Sequence, residues 1–389
     1  MRRVQVVYFD AGGGHRNAAC ALEESIRLSG RDWDVRCVNL DEVLEPADLV
    51  RKATGRNGPE WYNWSLRRGW TSVPVRLMPA VRRYIRAMLP QHIRLLREHW
   101  RRTAPELVVS VMPHYNRAIF ESLKQELPTA PMATVLTDFA DCPPNFWFEL
   151  QDQHFICGSA RAVQQAKSLG IRSDRIWRVS AMIVHPRFYC GTACNRAQGR
   201  ERIGLSPLRP TVLVSFGGYG SARMVDIAKR LRYTRAECQA IFVCGRNAAL
   251  VEALERLNVR YGRHVEGFTT DMDDWMRLSD VFIGKPGPGS VSEAVAAGLP
   301  VIVEQGYSTM PQERYTAEWI AETRTGLVIQ RFQAIAGAVD QLLRPGALDR
   351  MRANVRAVNN RAVFEIPEIL ERIMAESPGS LDSYQAVAV

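Results

Sequence analysis

Residues 285–293 read KPGPGSVSE, and they directly follow the apolar run Val281-Phe282-Ile283. Two glycines and two prolines separate a short buried strand from a helix whose first turns hold Ser290, Ser292 and Glu293. Such a junction leaves backbone N–H groups unpaired at a helix N-terminus, where anions bind well. The stretch therefore predicts a phosphate-binding turn, and the competing interpretation is an ordinary strand–helix turn capped by serine.

The same alternation of apolar runs and helical stretches covers the rest of the chain in two series. The first series of predicted strands is Val4–Asp10, Val35–Leu40, Leu107–Met112, Met132–Asp138, His154–Cys157 and Ile176–Val179. The second is Thr211–Phe216, Ala240–Cys244, His264–Val265, Val281–Ile283, Pro300–Val303 and Leu327–Ile329. Short apolar strands between helices predict an α/β protein with parallel sheets that are covered on both faces.

We therefore expect two doubly wound, Rossmann-like domains, with ligands at the carboxyl ends of the strands and the active site in the cleft between the domains. The expected boundaries are 1–185 for the first domain, 186–210 for a linker, 211–360 for the second domain and 361–389 for a C-terminal helix and tail. Packing of this helix against the first domain is one arrangement that the sequence leaves open.

Composition points to an anionic partner. The chain has 51 lysine and arginine residues against 41 acidic ones, a formal charge of +10, which suits nucleic acid, a membrane surface or phosphorylated substrates. Its eight cysteines form no CxxC pair, which favours a reduced, cytosolic protein. We expect no signal peptide and no transmembrane helix, because the N-terminal apolar run is short and meets glycines.

Two more glycine-rich loops follow predicted first strands. They are DAGGGH at 10–15 and SFGGYGS at 215–221. Neither matches the GxGxxG dinucleotide motif or the GK[ST] of a P-loop, and each alone could be a tight turn. Three such loops at strand ends indicate ligand binding more strongly than one loop does, and a histidine such as His15 is unusual in a simple turn.

These residues carry a resemblance to a known family. The segments GGGH at 12–15, VEGF at 265–268, KPGPGSVSEAVAAGLPVIV at 285–303 and PQE at 311–313 resemble the GT-B glycosyltransferases. The similarity is to the branch of monogalactosyldiacylglycerol synthase and lipid II N-acetylglucosaminyltransferase. Within it, AGGGHRNAA at 11–19 and LTDFADCPPNFWF at 136–148 are most similar to the diacylglycerol glycosyltransferases.

The resemblance implies a UDP-sugar donor site in the second domain. Glu293 would accept hydrogen bonds from the ribose hydroxyls, although an acidic residue there also simply stabilises a helix N-terminus. Phe268 would lie near the uracil. The other residues that the resemblance assigns to the nucleotide sugar are Gly217, Gly218, Ser221, Gly287, Gly289, Ser290, Gln312 and Glu313.

His15 is the expected catalytic base, because an imidazole suits proton removal from an acceptor hydroxyl near neutral pH. Asp138 and Asp141 are rival bases or orienting residues, and Gly13 and Gly14 would form the acceptor or phosphate loop. We expect no metal and no cofactor. The DMD string at 271–273 suits the first turn of a helix, and helix N-termini can stabilise a leaving diphosphate.

Residues 61–102 are rich in arginine, contain four tryptophans and have Glu98 as their one acidic residue. Basic residues beside apolar anchors are typical of a segment that lies on an anionic membrane. A nucleic-acid patch and a solvated helix with core tryptophans are the alternatives, and we expect no nucleic-acid partner. The predicted membrane residues are Trp61, Trp64, Arg67, Arg68, Trp70, Arg82 and Arg83.

The sequence thus predicts an inverting glycosyltransferase, peripheral to the cytoplasmic face of a membrane. It would move a hexosyl group, galactose or glucose, from a UDP-sugar to a lipid such as 1,2-diacylglycerol. The alternatives are a UDP-sugar 2-epimerase of the same fold, N-acetylglucosaminyl transfer to another lipid-linked acceptor, and a non-catalytic binding protein.

Overall fold

The computed structural model describes residues 1–67, 72–189, 195–306 and 309–376, with side chains for all of these except 65–67 and 72–76. The chain divides into two compact units. The first unit contains Met1–Asn63, Val73–Pro186 and the described residues from Arg361 onward. The second contains Arg187–Asn360 together with the described residues between Trp64 and Ser72.

The first unit is built on a parallel sheet of six strands in the order β2-β1-β3-β4-β5-β6. The strands are β1 (Arg2–Tyr8), β2 (Trp33–Asn39), β3 (Leu107–Ser110), β4 (Met132–Val135), β5 (His154–Cys157) and β6 (Ile176–Arg178). The helices are α1 (Gly14–Leu28), α2 (Leu40–Leu44), α3 (Leu49–Thr54), α4 (Gly58–Arg67), α5 (Ser72–Ala87), α6 (Leu89–Thr103), α7 (Asn116–Glu126) and α8 (Ala160–Ser168). The end of α4 from Trp64 and the first residue of α5 are grouped with the second unit.

Strands β3, β4 and β5 are buried along their whole length, which explains why they read as continuous apolar runs. One core cluster of this unit joins the sheet to the helices through Val108, Leu96, Trp100 and Ile119. The strand order reverses between β1 and β3, so the loops after these two strands meet at the carboxyl edge of the sheet.

The second unit contains another parallel sheet of six strands, in the order β12-β11-β10-β7-β8-β9. The strands are β7 (Thr211–Ser215), β8 (Gln239–Val243), β9 (Arg263–Glu266), β10 (Val281–Gly284), β11 (Val301–Glu304) and β12 (Gly326–Ile329). The helices are α9 (Arg196–Arg202), α10 (Arg223–Leu231), α11 (Ala248–Glu255), α12 (Met272–Arg277), α13 (Pro288–Ala296), α14 (Pro311–Thr323), α15 (Ile335–Leu342) and α16 (Ala347–Ala357). Short 3-10 helices lie at Glu45–Ala47, Ser173–Arg175, Pro186–Phe188 and Phe332–Ala334.

The last described helix, α17 (Ala362–Ala375), is part of the first unit and packs on α1. The Ser25 hydroxyl donates to the Val363 carbonyl at 2.6 Å, and the Ser180 N–H donates to the Glu365 carboxylate at 2.8 Å. Ile366 and Leu370 are fully buried on its apolar face.

The fold prediction is confirmed: in the described part of the chain, twelve parallel strands alternate with helices in two doubly wound units. Within the predicted linker the structure places α9, whose buried Arg200 is paired with Asp280 at 2.6 Å. Hydrophobic periodicity gave no sign of this helix, since a buried ion pair holds it. No helix in the described part of the chain is both long and apolar enough to cross a membrane.

Candidate active site

The loop between β1 and α1 brings His15 to the carboxyl edge of the first sheet. Gly12 and Gly13 have φ angles of +69° and +82°, in the left-handed region that favours glycine. Gly13 is the N-cap residue of α1 and has no side chain with which to cap the helix. His15 therefore lies in the first helical turn, directly after a loop that turns sharply.

His15 is held in one orientation by groups from the ends of β3 and β4. Its Nδ1 lies 2.8 Å from the Val111 carbonyl oxygen and 3.2 Å from Thr137 Oγ1. Because a carbonyl oxygen can only accept, Nδ1 carries the proton and Nε2 has the lone pair. The rings of Phe9 and Trp147 lie 4.8 and 6.0 Å from the imidazole, centroid to centroid.

Burial lowers the pKa of His15 from its ordinary 6.5 to about 4, and the hydrogen bond to Val111 offsets only part of this shift. A neutral imidazole with an unprotonated Nε2 is thus the dominant form at pH 7. This is the state that a general base requires.

The two candidate aspartates have structural partners. Asp138 Oδ2 accepts a hydrogen bond from Trp147 Nε1 at 2.9 Å. The Asp141 carboxylate accepts from the backbone N–H groups of residues 145, 146 and 147 at 2.7 to 2.8 Å. Burial raises the pKa of Asp141, and these three N–H groups oppose the shift. The geometry of Asp141 is that of a loop organiser.

In the second unit, a glycine turn after β7 closes on the loop after β8. Gly217 has a φ of +79°. A Cβ on Gly245 would lie 2.4 Å from the Gly218 carbonyl oxygen, so only glycine allows the two loops to approach this closely. Ser221, at the end of the turn, accepts a hydrogen bond from the Arg223 N–H through its Oγ at 3.3 Å.

The junction after β10 has the geometry that its sequence predicts. Gly287 is the N-cap residue of α13, is buried and has no side chain with which to cap the helix. Pro288 occupies the first helical turn. Gly289 is exposed and Ser290 half-buried, whereas the Ser292 hydroxyl is buried without a hydrogen-bond partner among the described residues. The first backbone N–H groups of α13 thus face a glycine turn that an anion can approach.

Glu293 lies one turn into α13. Burial raises the pKa of its carboxyl group to about 7, although Arg187 acts in the opposite direction. A carboxylate that is costly to ionise is stabilised by ligand groups that donate hydrogen bonds to it.

Two more side-chain pairs line the same edge of the second sheet. The Arg246 guanidinium lies over the exposed ring of Phe268, 4.1 Å from its centroid. The Lys285 ammonium contacts the buried Glu313 carboxylate at 2.5 Å. Gln312 Nε2 lies 3.6 Å from the sulfur of Met310.

The chain is similar in sequence to known glycolipid synthases. The family model described as Monogalactosyldiacylglycerol (MGDG) synthase matches residues 15–179. A probable monogalactosyldiacylglycerol synthase 2 of rice (Oryza sativa subsp. japonica) is 28% identical over 78% of this chain and 66% of its own length. Monogalactosyldiacylglycerol synthase 1 of Arabidopsis thaliana is 26% identical over 94% of this chain and 70% of its own length.

This chain is thus similar to the monogalactosyldiacylglycerol synthases. The crystal structure of MurG from Acinetobacter baumannii matches its fold with a TM-score of 0.61 at 11% identity, over 96% of this chain and all of that one. The expected resemblance, the GT-B fold and the enzyme class of glycosyltransferase are thereby confirmed. The chain spans about two thirds of the length of the rice relative.

Several residues of this candidate site were not singled out in the sequence. Val111 and Thr137 orient His15, Gly245 admits the Gly218 loop, and Arg246 and Lys285 pair with predicted site residues. Each lies just beyond the carboxyl end of a strand, which is the signal that could have found them.

The predicted membrane residues differ in how they are placed. Trp61 is 37% exposed, Trp64 is half-buried and Arg83 is exposed. Arg82 is half-buried, with its guanidinium 3.4 Å from the Pro144 carbonyl oxygen, because this face of α5 turns toward the loop that follows β4. The side chain of Arg67 and the whole of Arg68 and Trp70 lie outside the described residues.

The acidic string before β10 belongs to α12. Asp273 is buried and paired with Arg277 at 2.8 Å, and Asp274 is paired with the same arginine at 2.6 Å. No group of three or more histidine, cysteine or acidic side chains within the described ranges could hold a metal ion.

Proposed function

We propose that this chain transfers a hexosyl group from a UDP-sugar to the hydroxyl group of a lipid, with inversion at the anomeric carbon. The acceptor is a lipid such as 1,2-diacylglycerol, and the donated sugar is galactose or glucose. The observation that carries the proposal is His15, whose Nδ1 donates to Val111 so that Nε2 is left unprotonated. The match of residues 15–179 to the synthase family begins at this histidine.

In this proposal the second domain, residues 211–360, binds the donor. The diphosphate meets the N-terminal N–H groups of α13, where the helix dipole favours negative charge. Glu293 accepts from the ribose hydroxyls, and the uracil lies near Phe268, whose exposed ring stacks with Arg246. Gln312 and Glu313 face the sugar, and the glycines and serine of 217–221 close around the phosphates.

The transfer needs no cofactor beyond the donor. As the acceptor oxygen attacks the anomeric carbon, the bond to UDP breaks and His15 Nε2 takes the hydroxyl proton. The N-terminus of α13 stabilises the charge that develops on the leaving diphosphate. Asp138 and Asp141 act through Trp147, which they hold against the His15 ring.

The first domain, residues 1–185, binds the acceptor at the cytoplasmic face of a membrane in this proposal. Trp61, Leu77 and Val81 are exposed apolar side chains, and exposed Arg83 and Arg86 follow them on α5. Apolar side chains beside arginines suit the boundary between anionic headgroups and acyl chains. Arg67, Arg68 and Trp70 belong to the same proposed surface.

A calorimetric titration with UDP-glucose tests the donor site, because the diphosphate of this ligand does not titrate between pH 6 and 8. The ionised form of Glu293 is the hydrogen-bond acceptor, and its pKa is about 7. We expect affinity to rise about tenfold from pH 6 to pH 8 as the carboxyl group loses its proton. Glu293→Gln should abolish this rise and weaken binding at pH 8 by about 1.5–3 kcal/mol.

Glu318→Gln, at an exposed position on α14, is the matched control and should bind like the unchanged protein at both pH values. Equal affinity at pH 6 and pH 8, with no effect of Glu293→Gln, would remove Glu293 from the donor site.

A further inference from the structure

The Asn63 side chain, on α4, joins this helix to the loop that precedes His15. The Gly12 N–H donates to Asn63 Oδ1 at 2.8 Å, and Asn63 Nδ2 donates to the Asp10 carbonyl oxygen at 2.9 Å. One amide thus satisfies a donor and an acceptor on the backbone of the same loop, more than fifty residues away in sequence. Two bonds from one planar amide fix both the distance and the rotation of the loop relative to α4.

The sequence of the loop gives its backbone little stiffness of its own, so contacts such as this one fix its conformation. Gly12 and Gly13 have left-handed φ angles, and glycine has the largest backbone freedom of any residue. Gly13, the N-cap residue of α1, has no side chain with which to cap the helix. Beside Asn63, the Tyr62 ring lies 3.6 Å from where a Cβ on Gly12 would be, so α4 also packs on the loop.

The first turn of α4 is itself anchored. Asn57 and Glu60 form a reciprocal capping box: the Glu60 N–H donates to Asn57 Oδ1, and the Asn57 N–H donates to Glu60 Oε2, both at 2.8 Å. Trp61 Nε1 donates to Thr54 Oγ1 at 3.1 Å. Asn63 therefore lies one turn beyond an anchored helix start, which suits a side chain that positions another element.

We propose that Asn63 is a positioning residue for the sugar transfer. It holds the glycine loop so that Nε2 of His15, three residues beyond Gly12, meets the acceptor hydroxyl. This inference rests on the proposed function, because it assumes that His15 is the base. A displacement of about 1 Å at a reacting group can cost about 100-fold in rate without a change in binding.

The test compares Asn63→Ala, Asn63→Asp and the control Asn258→Ala, which removes an exposed asparagine of the second unit. Each protein is assayed with UDP-galactose and UDP-glucose, on diacylglycerol in vesicles and on diacylglycerol dispersed in detergent. For Asn63→Ala we expect kcat to fall by about 100-fold, with the donor KM, UDP affinity and melting temperature close to those of the unchanged protein. Asn63→Asp keeps the acceptor for the Gly12 N–H but loses the donor to Asp10, so its loss in kcat should be smaller.

The two acceptor forms separate positioning from membrane docking. A positioning defect lowers kcat equally on vesicles and in detergent, whereas a docking defect disappears in detergent. Unchanged kcat in both Asn63 variants, or a loss confined to vesicles, would overturn the inference. If the unchanged protein binds UDP but transfers no sugar to lipid, the proposed function fails instead, whatever the variants do.

Discussion

At the scale of single residues, His15 is defined by its hydrogen bond to Val111 and by its low pKa. With a folded pKa of about 4 the imidazole is neutral at pH 5 and above, so kcat should be level from pH 8 to about 5 and fall below that. His15→Ala should lower kcat by about 100-fold and leave UDP affinity unchanged. A pH profile of turnover with a lipid acceptor, beside a UDP titration, measures both effects. Normal turnover in the variant would pass the role of base to Asp138 or Asp141.

The low pKa of His15 also affects the stability of the folded protein. The unfolded histidine takes up its proton near pH 6.5 and the folded one near pH 4, so this group contributes stability above pH 6.5 that is lost as the pH falls to about 4. His15→Ala should therefore have a shallower decline of melting temperature across this interval than the unchanged protein.

The ion pair of Lys285 and Glu313 lies next to the proposed diphosphate turn. The Glu313 side chain is only 7% exposed, and a Cβ on Gly287 would lie 3.8 Å from its carboxylate, so a negative charge stands directly behind the proposed diphosphate turn. Lys285 neutralises that charge. Lys285→Met should leave the buried Glu313 carboxylate without this ion pair, which should lower the free energy of unfolding by about 3–5 kcal/mol. It should also weaken UDP binding, because the carboxylate then repels the diphosphate.

The double variant Lys285→Met, Glu313→Gln separates two roles of the lysine. If Lys285 acts by neutralising Glu313, the double variant should regain most of the UDP affinity, while Glu313→Gln alone should lower discrimination between UDP-glucose and UDP-galactose. Calorimetry on the four proteins of this cycle isolates the coupling. A double variant as weak as Lys285→Met would instead assign Lys285 to direct phosphate binding.

At the scale of elements, the strand–helix junctions could be predicted from the sequence and the contacts across them could not. KPGPGSVSE predicts the turn after β10 because glycine and proline positions constrain the backbone locally. The Gly12 contact with Asn63 joins two segments that no local pattern relates. The helix α9 could not be predicted for the same reason, because the Asp280 that pairs with its buried Arg200 lies 80 residues away in sequence.

Helix α5 carries the membrane proposal within the described residues. Each arginine near an anionic surface contributes about 1 kcal/mol, so Arg83→Gln with Arg86→Gln should lower the affinity for anionic vesicles by about 2 kcal/mol. Raising the salt concentration should weaken binding of the unchanged protein more than that of the variant. Sedimentation with neutral and anionic vesicles measures this.

Exposed Arg235 and Arg260 of the second unit provide the control, because changing both to glutamine removes the same net charge elsewhere. An equal loss of vesicle affinity in the control pair would show that binding depends only on the total charge of the protein. Equal binding of the unchanged protein to neutral and anionic vesicles would contradict an anionic surface as the partner.

At the scale of the whole molecule, the parallel arrangement of the strands follows from their alternation with helices. The order of the strands does not follow from it, because the two units share this alternation and differ in strand order. The sites of ligand approach follow from the switch points of these sheets. The donated sugar does not follow, because discrimination between hexoses depends on single side-chain positions around a bound donor.

The central claim is sugar transfer to a lipid. In the most direct measurement, the purified protein is incubated with UDP-galactose, UDP-glucose or UDP-N-acetylglucosamine and with vesicles of mixed lipids that include diacylglycerol. His15→Ala is treated in the same way. The lipids and nucleotides are then analysed by mass spectrometry and nuclear magnetic resonance. We predict a monohexosyldiacylglycerol from UDP-galactose or UDP-glucose, one UDP released for each sugar transferred, and an inverted anomeric carbon. A UDP-sugar that is epimerised at carbon 2, or no glycolipid from any donor, would contradict the account.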